Sequence, residues 1–217
     1  MDCDFTILGR GRAGRALAQA WSDDGRVRVG LLGHETSPEG WVLLAVPDDA
    51  IPATAARFPG RCVHLSGSLH VPGVPCAHPL MSFDGEAANW REHWCDTPLA
   101  ITGDVPAAIR SAFENLGFLP FSLAPELKPL YHACAVLSSG HAATLWLGAM
   151  RLLAESGAAL PGRGTLNLAE ATLRNIARQG PGGRTGPFVR GDEATIQRDA
   201  EALPEAWREI FLKLGRL

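Results

Sequence analysis

Short apolar runs alternate with amphipathic stretches through the first half of the chain, a pattern that reads as strands joined by crossover helices. Residues 4–8 give the first strand and residues 13–22 an amphipathic helix; residues 27–32 and 41–46 are a second and a third strand. Residues 48–57 read as a short helix entered through Pro47, with acidic side chains in its first turn. Further strands are predicted at 62–65, 74–78 and 99–102. A helix at 105–116 stops at Gly117 and leads to a last strand at 118–122.

From residue 124 the pattern changes to long helices. The first, 127–156, opens at Pro125-Glu126 and ends at Gly157. The second, 165–178, carries Leu166, Ala169, Leu173, Ile176 and Ala177 at helical spacing. A Gly/Pro-rich loop at 179–187 precedes two closing helices, 192–202 and 204–214. The expected architecture is a Rossmann-type α/β parallel sheet over residues 1–123 followed by an all-α domain over 124–217. One connection is anomalous. Residues 33–40 show no helical pattern, although a parallel crossover usually takes a dozen or more residues. The usual helix is expected to be missing there, leaving one sheet face to be covered by something else, such as a partner subunit.

Charge and cysteine content narrow the function. The chain of 217 residues carries 20 basic and 23 acidic side chains, a net charge of −3, without a Lys/Arg block. That balance argues against nucleic acid or an anionic membrane as partner. No apolar run approaches the roughly 18 residues that span a bilayer, and the acidic start Met1-Asp2-Cys3-Asp4 lacks the features of a secretion signal, so a cytoplasmic protein is expected. Five cysteines, scattered and without CxxC or paired Cys/His spacing, read as free thiols and leave no metal site. Only two lysines are present, Lys128 and Lys213, which limits any lysine-dependent chemistry.

Ile7-Leu8-Gly9-Arg10-Gly11-Arg12-Ala13-Gly14 is GxGxxG directly after a strand and at the opening of a helix. The first glycine permits the tight turn, the second lets backbone approach a pyrophosphate, and the third lets helix pack on strand. Free N–H groups at the helix start then hold the anion, and Arg10 and Arg12 add charge. At the end of the second strand stands His34, which a 2′-phosphate would hold as a cation, followed by Glu35, which would favour a ribose hydroxyl. NADP is the expected cofactor, with NAD as the alternative.

Four segments, Leu44-Ala45-Val46-Pro47-Asp48-Asp49-Ala50-Ile51, His64-Leu65-Ser66-Gly67-Ser68, His78-Pro79-Leu80-Met81-Ser82-Phe83 and Leu130-Tyr131-His132-Ala133-Cys134-Ala135-Val136-Leu137-Ser138-Ser139, follow in order. With Arg184-Thr185-Gly186-Pro187 and Arg190-Gly191-Asp192 they resemble a family of NADP-binding Rossmann proteins with a small helical C-terminal domain, distant relatives of ketopantoate, pyrroline-5-carboxylate and 6-phosphogluconate reductases and dehydrogenases. The resemblance implies Ala45, Val46 and Pro47 over the cofactor, and Ser66, Gly67 and His78 near the nicotinamide. Two departures stand out: Gly140 where the family reads Asn after Ser139, and the shortened connection at His34.

A proton donor would complete such a site. His132 suits neutrality better than Lys128, four residues earlier on a similar helix face, while Tyr131 points to another face. Ser139 shares the His132 stripe two turns on and could bind substrate, as could Arg190 through a carboxylate. His64 reads equally well as a strand residue capping its own turn. The apolar character of 127–156 on more than one face predicts a homodimer. Together these features predict an NADP-dependent reductase of a small keto or imino acid; the alternative is a catalytically lapsed dinucleotide-binding sensor or partner-binding protein.

Overall fold

The computed structural model describes residues 4–33, 35–158 and 160–217. His34 lies outside the described residues, so its expected contact with a 2′-phosphate has no structural counterpart here. Seven strands form one sheet in the order β2-β1-β3-β4-β5-β6-β7: Phe5–Leu8, Val29–Leu32, Val42–Leu44, Cys62–His64, Cys76–Pro79, Thr97–Thr102 and Phe118–Ser122 in chain order. Strands β1 to β5 run parallel, as does β6 with β7. Between β5 and β6 the pairing is antiparallel, with His78 opposite Ala100, which corrects the expectation of an all-parallel sheet. The reason lies in the connection: between Pro79 and Thr97 the only helix among the described residues is the short α3, Trp90–His93, so the chain returns beside β5 without crossing the sheet. This is the Rossmann-type α/β fold.

The central strands β1, β3 and β4 are buried at every position, as strands covered on both faces must be. One face packs under α1 (Arg12–Asp24) and α4 (Ala107–Asn115). There Trp21 meets Phe5 and Phe113 edge-on at 5.1 Å each, and its Nε1 donates to the Ala112 carbonyl at 2.8 Å. The indole thus buries its area while its one polar atom stays satisfied. The other face has only the short α2, Ile51–Ala55, with Phe58 and Cys62 beside it.

No helix forms among the described residues between β2 and β3. The strap instead turns at Thr36, whose N–H and hydroxyl both donate to the Gly33 carbonyl. Two arginines hold it from outside. Arg57 donates to the carbonyls of Glu35 and Thr36, and Arg61 to those of Pro38 and Gly40 at 2.9 and 2.8 Å. Nine residues at about 3.3 Å each span roughly 30 Å, enough to pass β1 in extended form.

The chain divides into two compact units, Met1–Ala142 and Ala143–Leu217. Residues 124–142, helical by pattern, go with the sheet because Lys128 at the start of α5 (Lys128–Val136) is fully buried against β4 and β5. The expected uninterrupted helix over 127–156 is broken by one π-helical turn, Leu137–His141, before α6 (Ala142–Glu155). Its cause is local: Ser138 and Ser139 donate their hydroxyls to the carbonyls of Cys134 and Ala135, four residues back, competing with the backbone ladder next to Gly140.

In the second unit α7 is Leu166–Gln179, α8 Pro187–Arg190, α9 Glu193–Ala202 and α10 Glu205–Gly215. Asp192 caps α9 by accepting from the Thr195 N–H at 3.1 Å. Gly148 lets the Trp207 indole lie directly on α6; an added Cβ would stand 2.0 Å from the ring. Leu137 and Leu147 are exposed, and the Pro125–Glu155 helix has an 18-residue window of mean hydropathy 1.2, almost none of it buried. By length and composition that helix could cross a membrane.

Candidate active site

The strand order reverses about β1: the chain leaves β1 for β2 on one side and reaches β3 on the other. The carboxyl ends of β1 and β3 stand side by side at this reversal, the place where open α/β sheets take ligands. Gly9 ends β1 with φ +118°, a conformation that side chains avoid. A Cβ there would stand 2.2 Å from the Ala45 carbonyl oxygen, and one at Gly14 would stand 2.1 Å from the Gly9 oxygen. Both glycines are therefore demanded by backbone packing alone. Gly11 differs. It precedes α1 in extended conformation, and an added Cβ would meet nothing within 4 Å. The open space above the first N–H groups of α1 is what an incoming pyrophosphate requires, so the residues present fit a dinucleotide. Arg10 and Arg12 are exposed beside it.

A polar network lies at the ends of β3 and β4. Asp48 accepts from the hydroxyls of Ser66 at 2.7 Å and Ser68 at 3.0 Å, just after the Ala45-Val46-Pro47 turn. His64 accepts from the Ser66 N–H at 3.2 Å through Nδ1, capping its own turn. Beneath Ser66, the Lys128 ammonium donates to the Ser66 carbonyl at 2.9 Å and to Cys76 Sγ at 3.2 Å. Lys128 is fully buried and turned into the interior, so it anchors α5 to the sheet rather than facing the cavity.

Gly67 follows, and two imidazoles close over it: a Cβ at this position would lie 2.6 Å from His132 Cδ2 and 2.7 Å from His78 Nε2. His78 lies one residue before the end of β5; its Nδ1 is 2.9 Å from the Tyr131 hydroxyl, and its ring is 6.2 Å from that of His132. A cavity of about 440 Å³ lies against this group, lined by His78, Met81, Tyr131, His132, Ser138 and Ser139 among others. The expectation that Tyr131 turns to another face is thereby corrected. Adjacent helix positions diverge by about 100°, but His78 enters between them and both reach it.

Burial sets the charge state of the cluster. Desolvation, then the Lys128 charge, pushes His78 and His64 down to about 4, so both imidazoles are neutral near pH 7. Desolvation also pushes Tyr131 up to about 12 and raises Cys76. Ser139 lines the cavity with its hydroxyl turned to Ala135. Arg190 is exposed at the end of α8 in the second unit. Among the described residues no group of three or more His, Cys, Asp or Glu side chains converges.

His78, His132, Gly67 and Ser139 were expected near the site, Tyr131 was expected to face away from it, and Asp48 and Cys76 had no expected role there. For Tyr131 the one available signal was its being the sole tyrosine, in a segment already marked by its neighbours.

Solved structures share the fold. The "putative NADP oxidoreductase" of Bacteroides fragilis is 20% identical over 99% of this chain and 97% of its own, with a TM-score of 0.79. A protein of Thermotoga maritima is 21% identical over 98% of this chain and 96% of its own, with a TM-score of 0.71. The reductive aminase of Aspergillus terreus, solved with NADPH and ethyl-5-oxohexanoate, is 15% identical over 99% of this chain and 92% of its own, with a TM-score of 0.60. No curated protein matches. Residues 97–217, more than half of the chain, match one family, and the protein belongs to it: the family described as Domain of unknown function (DUF2520).

Proposed function

We propose that the protein is an NADP-dependent oxidoreductase that reduces a small keto or imino compound, a keto or imino acid in the reading the sequence resemblance implies. One observation carries this reading: the open glycine turn after β1 and the His78, Tyr131 and His132 cavity beside β5 lie along the same carboxyl edge of the sheet. Gly9, Gly11, Ala13 and Gly14 with Arg10 and Arg12 would hold the pyrophosphate. Ala45, Val46, Pro47, Ser66, Gly67 and His78 would border the rest of the cofactor. The bound dinucleotide would supply hydride; the chain supplies orientation and a proton. That the Aspergillus terreus reductive aminase, of the same fold, was solved with NADPH and a keto ester supports the cofactor and the substrate type.

The apolar exposed helix Pro125–Glu155 supports pairing with a second copy of the chain, which sedimentation at micromolar concentration would detect. Titration with NADPH and NADH, followed by cofactor oxidation over a panel of ketones, keto acids and imines, tests the enzyme. Tight NADPH binding with no turnover would instead support the lapsed sensor. Gly140 favours that second reading: it is exposed, and a side chain there would meet only Val136 at 4.0 Å. An asparagine therefore fits where the resembling family has one, and activity appearing in Gly140→Asn alone would decide for the lapsed form.

A further inference from the structure

We infer that the Tyr131 hydroxyl, aligned by His78, is the catalytic proton donor of this cavity. The inference rests on the reductive reading above and deepens it.

The geometry separates Tyr131 from the other groups nearby. Lys128 is spent on Ser66 and Cys76. The hydroxyls of Ser138 and Ser139 are spent on helix carbonyls. Tyr131 lines the cavity with its hydroxyl 2.9 Å from His78 Nδ1, and its ring stands edge-on to the imidazole at 5.5 Å. In the tautomer with the proton on Nδ1, His78 donates to the phenol oxygen, which leaves the phenol O–H free to point at substrate.

The proton balance closes with Tyr131 and solvent. Hydride adding to a carbonyl carbon moves the C=O π pair onto oxygen. The Tyr131 O–H bond breaks as its proton joins that oxygen, giving the alcohol and a phenolate. The phenolate regains its proton from solvent in the cavity, so each turnover consumes one hydride and one solvent proton and His78 keeps its Nδ1 proton.

Acidity sets the direction of that transfer. Burial holds Tyr131 at about 12, so it keeps its proton throughout the physiological range. An alkoxide is about as basic as hydroxide, whose conjugate acid lies near ~15.7, so transfer to it runs downhill. His78, held neutral at about 4 by burial and by the Lys128 and His132 charges, serves as a neutral hydrogen-bond partner that fixes the Tyr131 hydroxyl.

Tyr131 is the only tyrosine, so the ultraviolet tyrosinate band of the full chain titrates one group. A midpoint near 12 that falls when NADP⁺ brings its positive ring alongside is expected; an ordinary midpoint near ~10 that ignores NADP⁺ overturns the inference. In kinetics, Tyr131→Phe, verified as folded by unchanged NADPH affinity, is compared with the unmodified chain on two substrate sets. One is a panel of ketones and aldehydes including cyclohexanone. The other is a set of N-methylated cyclic iminium ions, which need hydride but no proton. Carbonyl turnover should fall about 100-fold or more while iminium turnover holds. Undiminished carbonyl turnover, or an equal loss in both sets, refutes Tyr131 as donor while leaving the reductase standing. An unmodified chain that binds NADPH and reduces neither set refutes the reductase itself, and the inference with it.

Discussion

Replacing Gly9 and Gly11 separately by alanine should divide folding from cofactor binding. At Gly9 the added methyl is doubly opposed: φ is +118°, and its Cβ would sit 2.2 Å from the Ala45 carbonyl oxygen. Ala45 cannot recede freely, because its N–H is bonded to the Leu8 carbonyl at 2.8 Å in the β1–β3 ladder. Backbone strain of this kind costs about 1–3 kcal/mol, and the overlap with fixed backbone adds a comparable amount, so a loss of about 3 kcal/mol or more is expected. For a chain of this size that lowers Tm by about 6–12 °C. Gly11 has no such conflict. Its φ is −68° and the Cβ would be free, so the lower entropy of the unfolded chain, about 0.4–1 kcal/mol, offsets a slightly poorer helix cap. Gly11→Ala should melt within about 2 °C of the unmodified protein. Its methyl, however, would fill the space above the α1 N-terminus and keep a phosphate off at least one N–H donor. At about 1.5–3 kcal/mol for a hydrogen bond to a charged group, NADPH should bind roughly 10- to 100-fold more weakly. Thermal unfolding and NADPH fluorescence titration read the two effects. Wild-type stability in Gly9→Ala would refute the packing account, and wild-type NADPH affinity in Gly11→Ala would refute the phosphate cradle.

Two more outcomes follow from the buried polar cluster. His64 and His78 are held at about 4 when folded against ~6.5 when unfolded, so the unfolded chain binds more protons between these values and stability rises with pH across that window. Stability should be full above about pH 6.5 and fall towards pH 4, by roughly 3 kcal/mol for the fully buried His64 and by less for the partly exposed His78, and a urea midpoint that stays flat from pH 7 to pH 4.5 would contradict neutral imidazoles. Lys128→Met should lower Tm by about 2–12 °C, since it removes the ammonium that holds the Ser66 carbonyl, a loss of about 1–3 kcal/mol. It should also raise the pKa of His64 and His78, both depressed by the Lys128 charge; unchanged imidazole titrations in NMR spectra would contradict that coupling.

The sequence by itself determined the α/β core and the phosphate turn, because both depend on short-range rules. Period-two and unbroken apolar runs mark strands, and three glycines at fixed spacing mark a turn that only glycine can make. The last strand, 118–122, coincides with its predicted span for this reason, with Gly117 before it at φ +90°. Direction of pairing is not a local property. β6 carries the same apolar pattern whichever way it runs, and its antiparallel partnership with β5 follows from how residues 80–96 fold back.

The candidate site divides in the same way. Gly67, His78, His132 and Ser139 were legible as individual residues in recognisable segments. Their meeting was not, since it needs β5 to end beside β4 and α5 to be pinned by Lys128 over the Ser66 carbonyl. Helix phase computed along one element placed Tyr131 away from His132; only the arrival of a third residue, His78, from another strand joins the two. The short strap after β2 shows the limit from the other side. Its lack of helical pattern was plain in the sequence, but the Arg57 and Arg61 bonds that replace a helix lie some twenty residues along the chain. Local propensity fixes the elements, while long-range packing decides which side chains share a cavity and which charges survive within it.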